Sequence, residues 1–111
     1  MASHPLKILV VDDDESIRLS LKKVLSKEGH SATIVENGNL ALEHIQKHLF
    51  DLVFLDLKMP GIGGMDVLKI IRNRSPKTDV VIITGFGTVE TAVEAMKFGA
   101  YDYIQKPFTI A

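Results

Sequence analysis

Asp51-Leu52-Val53-Phe54-Leu55-Asp56-Leu57-Lys58-Met59-Pro60-Gly61 is a nearly all-apolar run that stops at a carboxylate, with a proline–glycine turn just beyond it. A run with no polar alternation predicts a strand buried on both faces, as in a parallel sheet held between helices. In such sheets ligands and chemistry collect outside the carboxyl ends of the strands. Asp56 stands at that end. A second run, Lys7-Ile8-Leu9-Val10-Val11, ends the same way, in Asp12-Asp13-Asp14. Two strands therefore bring acid to one edge. Clustered carboxylates repel one another unless a cation lies among them, and an all-oxygen donor set favours a hard ion such as Mg²⁺.

Strand and helix patterns alternate outward from this stretch. A first helix is predicted over residues 15–28, with Ile17, Leu21, Val24 and Leu25 on one face and Arg18, Lys22, Lys23 and Lys27 outside it. Asp14 is its expected N-cap and Gly29 its stop. Residues 31–36 read as a strand with Ala32 and Ile34 on one side. Asn37-Gly38 turns the chain into a helix over residues 39–47, with Leu40, Ala41 and Ile45 as its apolar stripe. The third strand covers residues 51–56. A helix over residues 65–73 buries Val67, Leu68 and Ile71. The fourth strand is residues 79–84, broken by Gly85-Phe86-Gly87. Thr88 caps a helix reaching residue 98, expected to carry Val89, Ala92, Val93 and Met96 inward, and Gly99 ends it. Residues 101–105 form the fifth strand. This alternation predicts an α/β fold, a doubly wound five-stranded parallel sheet. Only Thr109-Ile110-Ala111 remain for a fifth helix, which is expected to be missing or truncated.

A chain of 111 residues is one domain, and 46% hydrophobic content supplies its core. A formal net charge of −1 gives no bulk electrostatic case for nucleic acid or membrane binding. The absence of cysteine excludes disulfides, thiolate zinc sites and cysteine nucleophiles. A reducing cytoplasm is the natural compartment. No apolar run approaches the ~20 residues of a membrane-spanning helix. Residues 1–5 lack the charged and apolar segments of a signal peptide and are expected as a short disordered lead-in to a domain over residues 6–111.

Polar groups now end several strands at one edge: Asp12 and Asp13, Asp56, Thr84 and Lys106. Singly, each has a plain explanation. Asp14 caps a helix with solvated neighbours, Asp56 makes a turn before Met59-Pro60, Thr84 is a β-branched strand residue, and Lys106 is a surface lysine. Jointly those explanations do not account for the convergence. A carboxylate beside Mg²⁺ is a competent nucleophile toward a phosphoryl group. The metal, an amine and a hydroxyl then neutralise the transferring oxygens.

The stretches Ile8-Leu9-Val10-Val11-Asp12-Asp13-Asp14, Leu55-Asp56-Leu57-Lys58-Met59-Pro60-Gly61, Ile82-Ile83-Thr84-Gly85 and Asp102-Tyr103-Ile104-Gln105-Lys106-Pro107-Phe108 resemble the receiver domain of a two-component response regulator. They span almost the whole chain, in order. Residues 88–103 are similar to receivers of enhancer-binding transcription activators. The resemblance implies the flavodoxin-like strand order 2-1-3-4-5 and a bacterial phosphorylation switch rather than an enzyme. It makes Asp56 the phospho-acceptor and Asp13 the main metal carboxylate, with Asp12 beside it and the backbone carbonyl of Lys58 completing the protein ligands. Thr84 becomes the switch hydroxyl, Tyr103 the switch aromatic and Lys106 the phosphate-binding lysine. Mg²⁺ is the implied cofactor, with Mn²⁺ as an alternative. A sensor histidine kinase, docking near the first helix, is the implied donor. An output module, tethered or separate, and a phosphorylation-dependent homodimer are the implied responders. Lys58 and Phe86 would flank the path of the water that hydrolyses the aspartyl phosphate.

Other signals are weaker. His44 and His48 lie four apart on a helix, yet no third ligand accompanies them, and an exposed face is the better reading. Gly61-Ile62-Gly63-Gly64-Met65-Asp66 lacks the last glycine of a dinucleotide fingerprint and reads as a tight turn. An aspartyl-phosphate phosphatase of the haloacid-dehalogenase type needs an acid where Lys58 stands. A nucleotide- or flavin-binding module needs a phosphate-cradling loop where Asp12-Asp13-Asp14 would repel phosphate.

Overall fold

The computed structural model describes residues 4–85 and 87–106. In chain order these form β1 (Lys7–Val11), α1 (Glu15–Lys27), β2 (Ser31–Val35), α2 (Gly38–Lys47), β3 (Leu52–Leu55), α3 (Gly64–Arg74), β4 (Asp79–Thr84), α4 (Val89–Lys97) and β5 (Asp102–Gln105). Every strand pairing is parallel, and the sheet runs β2-β1-β3-β4-β5. This is the expected flavodoxin-like doubly wound order. Four helices lie among the described residues. The expectation of a missing or truncated fifth helix falls on residues 107–111, outside the described ones.

Alternation along each strand sorts its side chains onto two faces. Leu9, Val11, Val53, Leu55, Val80 and Ile82 join one cluster with Ala41 and Ile45 of α2, Val67, Leu68 and Ile71 of α3 and Ala95 of α4. Ile8, Val10, Val81 and Ile83 join the other with Leu21 of α1, supported by half-buried Ile17 and Leu25. Because both faces are covered, β1 and β4 are apolar along their buried length up to Thr84 at the end of β4, as an enclosed parallel sheet requires.

Caps set most boundaries. The Asp14 carboxylate accepts from the Ser16 and Ile17 amides and starts α1. The Asn37 side chain accepts from Leu40 N–H, so α2 opens at Gly38, one residue earlier than predicted. Thr88 and Thr91 form a reciprocal capping box at the start of α4. Gly29 and Gly99 take left-handed φ of 92° and 96° after α1 and α4. β3 is shorter than predicted at both ends. The Asp51 carboxylate turns to accept from the Lys7 amide at 2.8 Å, and Asp56 turns into the site described below.

One helix faces differently from expectation. On α4, Val89, Val93 and Met96 are 82%, 54% and 48% exposed, while Ala95 is buried and Ala92 half-buried. Two neighbouring stripes on this helix share the helical period, one of large apolar residues and one of small ones. The small stripe faces the sheet and lets the helix lie close to it. At the far end of α4, Lys69 of α3 sits 4.2 Å from the Phe98 ring centroid, and Arg72 donates to the carbonyl of Gly99. No helix among the described residues is long and apolar enough to cross a membrane.

Candidate functional site

Strand register assembles the site. Val11 pairs with Leu55, Leu55 with Ile82, and Thr84 with Gln105. Asp12, Asp56, Thr84 and Lys106 therefore emerge side by side at the carboxyl edge. Backbone bonds continue past the strand ends: Asp56 N–H donates to the Val11 carbonyl at 2.9 Å, and Lys106 N–H to the Thr84 carbonyl at 2.9 Å.

Asp12, Asp56 and Thr84 are buried, at 2%, 3% and 0% exposure, while Asp13 is exposed. The Lys106 ammonium lies 2.8 Å from Asp12 Oδ2 and 3.4 Å from Asp56 Oδ2. The Lys58 amide donates to Asp56 Oδ1 at 3.3 Å, and Lys58 is otherwise exposed. Asp12, Asp13 and Asp56 each offer an oxygen within 4.8 Å of the others, the one metal-competent group of this kind among the described residues. An ammonium bridging two buried carboxylates marks a place that demands positive charge, and the all-oxygen donor set suits Mg²⁺.

The electrostatics are unbalanced. Burial, reinforced by the neighbouring Asp12 charge, raises the Asp56 carboxyl above its ordinary 3.8, despite Lys106, the Lys58 amide and the Thr84 hydroxyl acting the other way. Burial alone would lower Lys106, but its bonds to Asp12 and Asp56 outweigh that and raise it. A raised carboxyl binds protons more readily in the folded than in the unfolded state. Stability of the metal-free protein is thus penalised above the folded Asp56 pKa and recovers as pH falls toward 3.8. Asp56→Asn is expected to remove this penalty. In EDTA its urea midpoint should exceed that of wild type at neutral pH, with the difference shrinking on acidification. A wild-type midpoint that stays equal to the variant's at every pH would contradict the sign.

Tyr103, on β5, is half-buried, and its hydroxyl lies 3.2 Å from Thr91 Oγ1 of α4. A Cβ on Gly87 would run into that hydroxyl. Tyr103 is therefore held against Gly87 and Thr91, where α4 begins, and Thr84 stands where β4 ends. Phe86 lies outside the described residues. His44 and His48 have ring centroids 6.1 Å apart, with His48 edge-on to Phe50, and no third metal-ligating partner joins them among the described residues.

Three supporting positions were not singled out in the sequence. A Cβ on Gly64 would collide with the Asp56 carbonyl oxygen and lie 2.6 Å from Leu57 Cα. The start of α3 packs that closely because the Gly64 amide donates to the Leu57 carbonyl at 3.0 Å. The glycine run around it read only as a turn. Thr91 read only as a helix residue. Arg18, expected on the solvated face of α1, is half-buried and donates from Nη1 to the Asp12 carbonyl at 2.9 Å.

The profile of the response regulator receiver domain family matches residues 8–111. An NtrX-like response regulator of Rickettsia typhi is 46% identical over 105 residues, which are 93% of this chain and 22% of that protein. The DNA-binding transcriptional regulator NtrC of Salmonella typhimurium is 41% identical over 103 residues, 93% of this chain and 22% of that one. The crystal structure of NtrX from Brucella abortus matches with a TM-score of 0.88 at 41% identity, over 96% of this chain and 24% of that chain. The chain belongs to the response regulator receiver domain family. It is a phosphorylation-dependent signalling domain similar to the receivers of these transcriptional regulators, in a family that generally binds Mg²⁺. It spans 22% of the length of the curated relatives just named.

Proposed function

We propose that Asp56 accepts a phosphoryl group from a phosphohistidine on a sensor histidine kinase, in the cytoplasm, and that the resulting charge resets the surface formed by α4 and β5. The supporting observation is the Lys106 ammonium bridging Asp12 and buried Asp56. In the transfer, an Asp56 carboxylate oxygen bonds to phosphorus as the phosphorus–nitrogen bond of the donor breaks. The electron pair leaves with the imidazole. Asp12, Asp13, Asp56 and the carbonyl of Lys58 are the groups that would hold Mg²⁺, or Mn²⁺ in its place. Bound there, such an ion supplies neutralising charge to the phosphoryl oxygens. Lys106 moves its ammonium from the carboxylates to a phosphoryl oxygen, and Thr84 donates its hydroxyl to another. Tyr103 then takes up the room Thr84 leaves, which changes how α4 and β5 meet an output module or a second copy of the chain. The same site releases the group to water, without acting on any further substrate.

Mass measurement after incubation with a phosphoryl donor tests this reading. One phosphoryl group per chain is expected. Rapid multiple-turnover release of phosphate with no phosphorylated chain accumulating would instead indicate a phosphatase, and no covalent change would leave a binding module. Lys106→Arg tests the coupling. A planar guanidinium presents its donors in a fixed fork and cannot fill the place of a compact ammonium with the same geometry. The variant is expected to fold and bind Mg²⁺, yet to show little phosphorylation-dependent change in association. Wild-type association of phosphorylated Lys106→Arg would remove Lys106 from the switch.

A further inference from the structure

We infer that Arg18 is a positioning residue for the metal site, holding the backbone on both sides of Asp13 so that this exposed carboxylate is presented to the ion. The inference rests on the reading of Asp12, Asp13 and Asp56 as the Mg²⁺ ligands.

Asp12 and Asp13 are held in unlike ways. Every polar atom of Asp12 is bonded: its amide to the Val35 carbonyl at 3.2 Å, Oδ1 to the Asp14 amide at 2.9 Å, Oδ2 to Lys106 at 2.8 Å, and its carbonyl to Arg18 Nη1 at 2.9 Å. The Asp13 side chain has no hydrogen bond or ion pair among the described residues. Only the placement of its backbone and its own rotamers therefore decide where the carboxylate points. The Asp12–Asp13 peptide is planar, so fixing the Asp12 carbonyl fixes the plane that leads into Asp13. On the other side, the Arg18 amide donates to the Asp14 carbonyl at 3.1 Å as the first bond of α1. Arg18 thus brackets Asp13, through its side chain before and its backbone after. Any residue at position 18 keeps the second bond. Only a long donor side chain keeps the first.

Groups that orient a metal ligand without touching the ion commonly control its affinity by about 10–100-fold. Positioning and charge predict opposite signs here. Removing a cation near an acidic site tightens Mg²⁺ binding if Coulomb attraction is all that matters. Removing a clamp on Asp13 weakens it.

The test is Mg²⁺ titration by calorimetry on wild type, Arg18→Met, Arg18→Lys and Lys22→Met. Arg18→Met is expected to bind Mg²⁺ at least about tenfold more weakly than wild type, and Arg18→Lys to recover most of the loss. Lys22→Met removes an exposed charge from the same helix and is expected to match wild type or bind slightly tighter. In the metal-free protein, the Asp13 and Asp14 amide resonances of Arg18→Met should broaden or shift beyond those of Lys22→Met. Arg18→Gln, whose amide is too short to reach the carbonyl, carries the same comparison if Arg18→Met does not fold. Equal or tighter Mg²⁺ binding in Arg18→Met overturns the positioning role while leaving the metal site intact. Absence of Mg²⁺ binding in wild type overturns the site itself.

Discussion

Incubated with acetyl phosphate and Mg²⁺, the wild-type chain is expected to gain one phosphoryl group and Asp56→Asn none. The amide nitrogen and oxygen of asparagine preserve the shape of the side chain and an acceptor for the Lys58 amide, but the carboxylate nucleophile is gone. The neighbouring acids do not replace it. Both carboxylate oxygens of Asp12 are engaged, one by the Asp14 amide and the other by Lys106. Asp13 is exposed, without the burial that surrounds Asp56 with Thr84 and Lys106. Intact mass before and after labelling reads the result directly. Undiminished labelling of Asp56→Asn would move the acceptor elsewhere on the chain.

Mg²⁺ is expected to stabilise the folded protein substantially. A ligand present at a hundred times its Kd adds about 2.7 kcal/mol, on the order of 10 °C in Tm for a domain of this size. Asp13→Ala should lose that response. Without the ion it should be no less stable than wild type, because one of three crowded carboxylates has been removed. Thermal melts in EDTA and in excess Mg²⁺ check both halves. The same Mg²⁺-dependent rise in wild type and Asp13→Ala would exclude Asp13 as a ligand.

Much of this arrangement is legible in the sequence because a buried parallel strand has a plain signature. The runs at Ile8 to Val11 and Leu52 to Leu55 end abruptly in acids, and parallel topology sends every strand end to the same edge. The sequence alone therefore groups Asp12, Asp56, Thr84 and Lys106. What was misread depends on tertiary contact. On α4 the stripes of Val89, Val93, Met96 and of Ala92, Ala95 have the same period, so periodicity cannot tell which packs inward. The charge of Arg18 fits the polar face of α1, so the sequence places it in solvent. Its long stem nonetheless lets the guanidinium reach back across the helix start to a backbone carbonyl. The pairing of Tyr103 with Thr91 joins residues on different elements and leaves no mark in local sequence.

Gly64 has a consequence for genetics. Every missense change from a glycine codon adds a Cβ, and here any Cβ meets the carbonyl of Asp56, the proposed phospho-acceptor. In a library covering all single substitutions, position 64 should be as intolerant as position 56, although it carries no reactive group. Loss-of-function maps of this chain would then score a steric requirement and a chemical one alike. Phenotype alone would place the active residue at two positions, and phosphoryl incorporation by the purified variants would be needed to see that what fails at position 64 is the backbone fit around Asp56.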